Sequence, residues 1–538
     1  SMRLLIAGSL VRVQLGEPLK SERVCVRIFS YIRLFLSPMY RFGMFILRRL
    51  KEEAVFERRK GSCFGEDEGV KIMREKKKTF CSYRRKSPVV LVSIALVITV
   101  LAGFVTVFKP AKNPLLETVY AISTPEYPTM AQKPQDTENL EEYEKNYALW
   151  KADRELQTQE LAHEAGSLNK LIPFFQKSSV SILTQNPEEN CVYSPLSLYL
   201  SLSMLAEVTG GESREQILDL LGSENIEDLR IQAEAVWNAN YCDDGATKLL
   251  LANSVWLNEE YSFVPSTLQT LAKAYYASSF RGQMGSEELD AALRSWLNSQ
   301  TGNFLQEQVG DVALTSDTVA ALVSTVFYQA AWEDEFSKDA TEQEVFHSPQ
   351  GNLLCDFMKQ DRSQLYYRGD GFSAVSLELD DGNSLMWLLL PDQETSPEEL
   401  ITNGKALSFL LWEEERKPQT VFVHLSVPKF DVSCELSLEE HLQNMGVVNL
   451  FSPELSNFSP LTDRSDLYIN SVEQATRVTV DEKGCTGASY TAIQVSEGAD
   501  AFAEKDVTFT LDRPFLFAVT TSENLPLFVG VVNQPAEQ

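Results

Sequence analysis

Twelve consecutive residues, Cys485 to Ser496 (CTGASYTAIQVS), carry no charge and no proline, and small and β-branched side chains dominate them. Such a strand suits a sheet covered on both faces, so the chain has to build a sheet with packed material above and below it. The flanks do not fit that setting. Glu482, Lys483 and Gly484 precede the stretch, and an acidic, loop-like run, EGADAFAEKD, follows it. Alternation gives one face as Cys485, Gly487, Ser489, Thr491, Ile493 and Val495, and the other as Thr486, Ala488, Tyr490, Ala492 and Gln494. The first face starts small and becomes apolar. Periodicity alone does not separate a strand fixed in its sheet from one that arrives later.

The rest of the chain sets the scale. Of 538 residues, 1–86 hold 21 Lys/Arg against 9 Asp/Glu, so the overall charge of −28 leaves about −40 on 87–538. That acidity argues against nucleic acid or heparin as a partner. The eight cysteines, at 25, 63, 81, 191, 242, 355, 434 and 485, include no CxxC pair and are expected to be mostly buried free thiols. Val89 to Phe108 is twenty residues without a charge, preceded by Arg84, Arg85 and Lys86. Its length and the positive-inside rule predict a single-pass anchor, with the N-terminus cytoplasmic and everything after Lys109 outside; a cleaved signal peptide is the competing assignment.

The expected domains follow. Residues 1–86 are a basic cytoplasmic segment, or in part untranslated sequence upstream of a start at Met73. Residues 87–109 form the anchor and 110–159 a linker and stalk. The linker is proline-rich, and Leu140, Tyr143, Tyr147 and Trp150 mark a helical run-in. From 160 to 538, helical and strand patterns alternate without a break, which predicts one large α+β unit.

Catalytic chemistry has little to stand on. There are four histidines and no GxSxG elbow, no metal-ligand spacing and no phosphate-cradling loop. Ser167 and Lys170 satisfy SxxK but lack the companion SDN and KTG motifs, so a surface serine hydrolase is a weak rival. No cofactor or metal is expected, and the chain is expected not to be an enzyme.

Six fragments, in unbroken order, carry a resemblance instead: NCVYSPLSLYLSLSMLAEVTGGESREQILDLLG (190–222), LANSVWL (251–257), SWLNSQTGNF (295–304), VSTVFYQAAWEDEF (323–336), VHLSVPKFDVSCELSLEEHLQNMGVVNLF (423–451) and FTLDRPFLFAVTTSENLPLFVGVVNQP (509–535). Together they resemble the serpins over about residues 160–538, in the manner of a bacterial, membrane-anchored member. The resemblance implies an α+β fold of three β-sheets and about nine helices, with an exposed reactive-centre loop offered to a serine protease as bait. After cleavage, residues 485–496 would insert into the central sheet. The family's hinge pattern falls on Glu482, Gly484, Cys485, Thr486, Gly487, Ala488, Ser489, Tyr490 and Thr491, with Cys485 in place of the usual threonine. Its sheet-opening cluster falls on Ser194, Ser197, Ser324 and Gln474, where serine replaces asparagine and glutamine replaces histidine. Family spacing puts the reactive bond at Gly498–Ala499, with Glu497, Asp500 and Ala501 as alternatives. The bait SEGADAFA holds no Arg or Lys, which points to an elastase- or subtilisin-like protease. The acidic stretch 223–240 leaves the family's heparin-binding helix without a counterpart. A monomer is expected, and a non-inhibitory binding or carrier serpin is the alternative within the family.

Overall fold

The structure, a computed structural model, describes residues 2–6, 9–13, 120–128, 130, 132–134, 142–152, 168–244, 247–379, 384–411, 417–485, 506–521 and 524–535. The chain divides into two compact units, Ser1–Pro110 and Ala111–Gln538. In the first, β1 (Met2–Ile6) and β2 (Ser9–Val13) form an antiparallel hairpin. The second is a mixed α+β unit.

Its central sheet runs in the order β14 (Phe430–Ser437), β15 (Glu473–Asp481), β16 (Gly484–Cys485), β8 (Ala320–Ala331), β6 (Lys248–Asn258), β7 (Ala277–Gly282) and β3 (Tyr120–Ser123), with β5 (Cys242–Asp243) paired to β6. A second, nine-stranded sheet runs β17 (Asp506–Thr510), β13 (Gln419–Pro428), β10 (Gly351–Arg368), β11 (Phe372–Glu378), β12 (Leu385–Pro391), β18 (Phe515–Thr520), β19 (Pro526–Val532) and β4 (Cys191–Tyr193), with β9 (Glu342–Ser348) on β10. Two smaller sheets merge here because β10 is 18 residues long: its first half pairs with β9 and its last residues with β11, while β13 bridges the two parts.

Nine helices have defined bounds among the described residues: α1 (Ile172–Leu183), α2 (Pro195–Val208), α3 (Gly211–Leu221), α4 (Ile226–Asn240), α5 (Pro265–Ala274), α6 (Glu287–Gln300), α7 (Pro397–Thr402), α8 (Lys405–Leu410) and α9 (Glu439–Asn444). Two of them make the central sheet two-faced. In α2 every residue except Ser201 is buried, as a helix apolar all round requires. Ser194 caps it by accepting from the Ser197 N–H at 3.2 Å, and Pro195 sits in the first turn, where a missing N–H costs nothing. On the opposite face Leu293 and Trp296 of α6 pack on Trp256 and Phe280 in a separate apolar cluster. α6 starts at the Ser286 cap with Glu287, Glu288 and Asp290 in its positive first turn.

Two expectations change. The single-pass membrane protein, with its domain outside the cell, is overturned: among the described residues no helix is long and apolar enough to cross a membrane. The longest, α4, has 15 residues where a bilayer needs about 20, and Val89–Phe108 lies outside the described residues. The second change is in the expected linker. Tyr120–Ser123 pairs antiparallel with β7 at the edge of the central sheet. Tyr127 then stacks on Tyr241 at 5.5 Å, and the Lys133 N–H donates to the Asp244 carbonyl at 2.7 Å. Lys133 also stands 5.6 Å from the Trp150 ring, on the helical stretch 142–152. An aromatic ring and a free sheet edge give this proline-rich segment somewhere to dock.

Candidate functional site

β16 is antiparallel to both β15 and β8, so those two strands run parallel to each other with a short wedge between them. Among the described residues the wedge fills one end. Gly484 faces Asp481 and Ala331, and Cys485 faces Val480 and Ala330. Beyond it, among the described residues, β8 and β15 share no ladder, and a cavity of about 810 Å³ opens between them. Residues 320–328 of β8 and 473–477 of β15 form its lips, with Leu198 and Leu202 of α2 on one side and Leu293 of α6 on the other. Two strand edges facing a gap are a template for another strand.

The wedge is anchored firmly. The Trp332 N–H donates to the Lys483 carbonyl and the Phe336 N–H to the Glu482 carbonyl, both at 2.9 Å, and the Trp332 indole donates to the Asp481 carbonyl at 2.8 Å. Glu482 is only 6% exposed. Its carboxylate meets the Lys429 ammonium at 3.1 Å and accepts from the Thr341 hydroxyl at 3.0 Å. Burial alone would raise this carboxyl, but its own N–H, Lys429 and Thr341 outweigh that and hold it below the usual range. A side chain at position 484 would collide with the Ala330 carbonyl oxygen and come within 2.8 Å of the Ala331 Cα, so only glycine fits against β8. Cys485 is fully buried, which pushes its thiol up to about 12.

The four cluster residues meet at the cleft. The Gln474 side chain of β15 accepts from the Ser194 N–H at 3.0 Å and donates back to the Ser194 carbonyl at 3.2 Å. The Ser197 hydroxyl donates to the Ser324 carbonyl on β8 at 3.5 Å. The start of α2 thus touches both lips. The Ser324 hydroxyl is buried and has no hydrogen-bond partner among the described residues.

The remaining expected site residues, Thr486, Gly487, Ala488, Ser489, Tyr490, Thr491, Glu497, Gly498, Ala499, Asp500 and Ala501, lie outside the described residues, as does Ser167. Lys170 is exposed on the 3₁₀ turn Leu168–Leu171. Among the described residues no three His, Cys, Asp or Glu side chains gather as metal ligands.

Other groups at the cleft escaped sequence reasoning. Lys429 and Trp332 stand inside quoted motifs, VPKF and AAWEDEF, but their partners are remote in the chain. Arg477 was missed altogether. It forms a bidentate pair with Asp431 of β14, at 2.9 and 2.7 Å, and its guanidinium lies 5.2 Å from the Phe304 ring. Phe304 in turn meets Phe327 of β8 edge-on at 6.4 Å. A polar-aromatic chain therefore bridges the two lips on the α6 side.

Comparison with known proteins agrees with this architecture. The sequence profile of the family described as "Serpin (serine protease inhibitor)" matches residues 175–535. Serpin-ZX of Arabidopsis thaliana is 25% identical over 369 residues, 66% of this chain and 94% of that protein. The human leukocyte elastase inhibitor is 26% identical over 369 residues, 66% of this chain and 96% of that protein. Among solved structures, the thermophilic serpin tengpin in its native state aligns with a TM-score of 0.61 at 25% identity, over 68% of this chain and 93% of its own. Thyroxine-binding globulin in complex with thyroxine aligns at 0.59 with 19% identity, over 68% of this chain and 100% of its own, a likeness of fold. With two lips, a glycine-hinged wedge and a matching profile over most of its length, the chain belongs to the serpin family.

Proposed function

We propose that this protein inhibits serine proteases by a suicide-substrate mechanism: a protease cuts the loop after Ser496, and residues 485–496 then fill the cleft. The observation that carries this reading is the wedge, whose first two residues already pair with both lips. Each further residue extends the same register. Val495 then falls opposite Ala320, the first residue of the antiparallel β8, so the strand and its slot end together. In that register Thr491 comes to rest between Ser324 and Gln474, and its hydroxyl offers the partner that the Ser324 hydroxyl lacks. The side facing α2 receives Cys485, Gly487, Ser489, Thr491, Ile493 and Val495, the face that is small where entry begins.

Small bait residues suit the shallow specificity pocket of an elastase- or subtilisin-like protease, with Gly498–Ala499 as the first candidate bond. Incubation with such a protease is expected to give an SDS-stable complex in which the chain is cut between Ser496 and Phe502. Quantitative cleavage of the loop without any complex refutes inhibition. It favours a carrier role instead, a use of the fold represented by the thyroxine-bound neighbour.

A further inference from the structure

The sulfur atoms of Cys191 and Cys434 lie 3.8 Å apart, on different sheets. Cys191 is on β4, opposite Val531 of β19. Cys434 is on β14, opposite Thr476, one of the residues lining the cleft. Cys191 is 8% exposed, whereas Cys434 is half-buried. The remaining described cysteines, Cys242, Cys355 and Cys485, are all buried.

We propose that Cys191 and Cys434 are a redox-active thiol pair, oxidised to an intrachain disulfide by a small disulfide such as glutathione disulfide. The geometry and the asymmetry of the pair both favour it. A disulfide needs its sulfurs about 2.05 Å apart, and two thiols already in contact close that gap with rotation about their side chains. Hydrogen bonding with Cys191 holds the Cys434 thiol below its ordinary value, opposed by burial, helped by the Val192 backbone and opposed again by Glu189 and Glu435. Its bond to Cys434 and its burial push the Cys191 thiol up. Cys434 is therefore the attacking group and Cys191 the resolving one.

The chemistry balances in two displacements. The Cys434 thiolate attacks one sulfur of glutathione disulfide, forming a mixed disulfide and expelling a glutathione thiolate. Cys191 gives its proton to solvent and attacks the Cys434 sulfur, which closes the protein disulfide and expels the second glutathione. Two protein thiols are oxidised and one glutathione disulfide is reduced to two thiols. The new bond would fasten β14, and with it β15, to β4. It lies three residues before Ser194, where Gln474 already holds the same lip.

The test uses the full chain, treated with glutathione disulfide and mapped by mass spectrometry without reduction. The expected product is a Cys191–Cys434 cross-linked peptide, reversed by dithiothreitol, with a Tm rise of about 5 °C or more from the closed loop. In Cys191→Ser the glutathione adduct should persist on Cys434. In Cys434→Ser, Cys191 should stay unmodified and Tm unchanged. A stable adduct on Cys434 of the unaltered protein without cross-linking overturns the proposal. So does modification of Cys434 no faster than that of Cys242, Cys355 and Cys485. None of these outcomes depends on protease inhibition.

Discussion

At the mouth of the cleft a single carboxylate carries an outsized share of the order. Glu482 is buried, and Lys429 supplies its countercharge. Replacing Lys429 by Met leaves that carboxylate buried and uncompensated, at a cost of about 1–3 kcal/mol. The expected outcome is a Tm lower by a few degrees, measured by differential scanning calorimetry. Because its surroundings hold the Glu482 carboxyl below the ordinary range, the stabilisation is present above the unfolded pKa of about 4.3 and is lost as pH falls through the folded value. The Tm gap between the original protein and Lys429→Met should therefore be constant near neutrality and narrow below about pH 4; a gap that widens on acidification contradicts the assignment. A second residue question is the bulk of Tyr490, the one aromatic side chain in the uncharged dozen. Continued into the cleft, the register of β16 would bring position 490 to the α6 side between Thr325 and Ala475, two small neighbours. Room for the ring depends on them. On the proposed mechanism, Ala475→Trp should fill that space and divert the reaction from trapping to plain cleavage, seen as more cleaved chain and less SDS-stable complex per protease consumed. An unchanged ratio would mean that Tyr490 does not pass there.

Between elements, the decisive contact is the bridge across the lips: Asp431 and Arg477 on one side, Phe327 on the other, with Phe304 from the turn after α6 in the middle. A strand entering the cleft in the register of β16 would have to displace it, since Arg477 and Phe327 flank the same position in that register. The cation–π and edge-on ring contacts together are worth about 1–2 kcal/mol. Phe304→Ala keeps the Arg477–Asp431 pair but removes the link, and should speed insertion after loop cleavage by roughly tenfold. Stopped-flow fluorescence of a probe on the cut loop would read the rate, and an equal or slower rate removes the bridge from the gating step. This scale also shows what the sequence could and could not reveal. The uncharged dozen demanded a sheet covered on both faces, and α2 and α6 cover it. The family resemblance named Ser194, Ser197, Ser324 and Gln474, which the fold gathers at one place. The Arg477–Phe304 and Glu482–Lys429 contacts were hidden because each joins residues far apart in sequence, where neither periodicity nor spacing carries a signal. Tyr120–Ser123 was hidden for another reason: a four-residue edge strand is too short to show alternation against a proline-rich background.

For the molecule as a whole, the consequence is an unfinished ladder inside a folded protein. Leu198 and Leu202 of α2 and Leu293 of α6 line the gap between its two lips, and among the described residues β16 pairs with two residues of each. Extending that pairing through residue 495 adds hydrogen bonds on both edges, each worth a net ~1 kcal/mol, so completion stabilises the protein by on the order of 10 kcal/mol. Against this stand the lifting of the Phe304 bridge and the ordering of the cut loop. Burial of Ile493 and Val495 on the face towards α2 helps to offset them, at roughly 25 cal/mol per Å² of apolar surface. Without cleavage the chain runs on from β16 to β17, which is paired with β13 at the edge of the other sheet and so forms a second tether. Cleavage removes the second tether. Cutting the loop between 496 and 502 should therefore raise Tm by roughly 10–20 °C with no change in composition. A cut chain that melts at the original temperature, with the segment after Cys485 still open to a second protease, would show that the cleft is a static gap and that the fold stores no stability for cleavage to release.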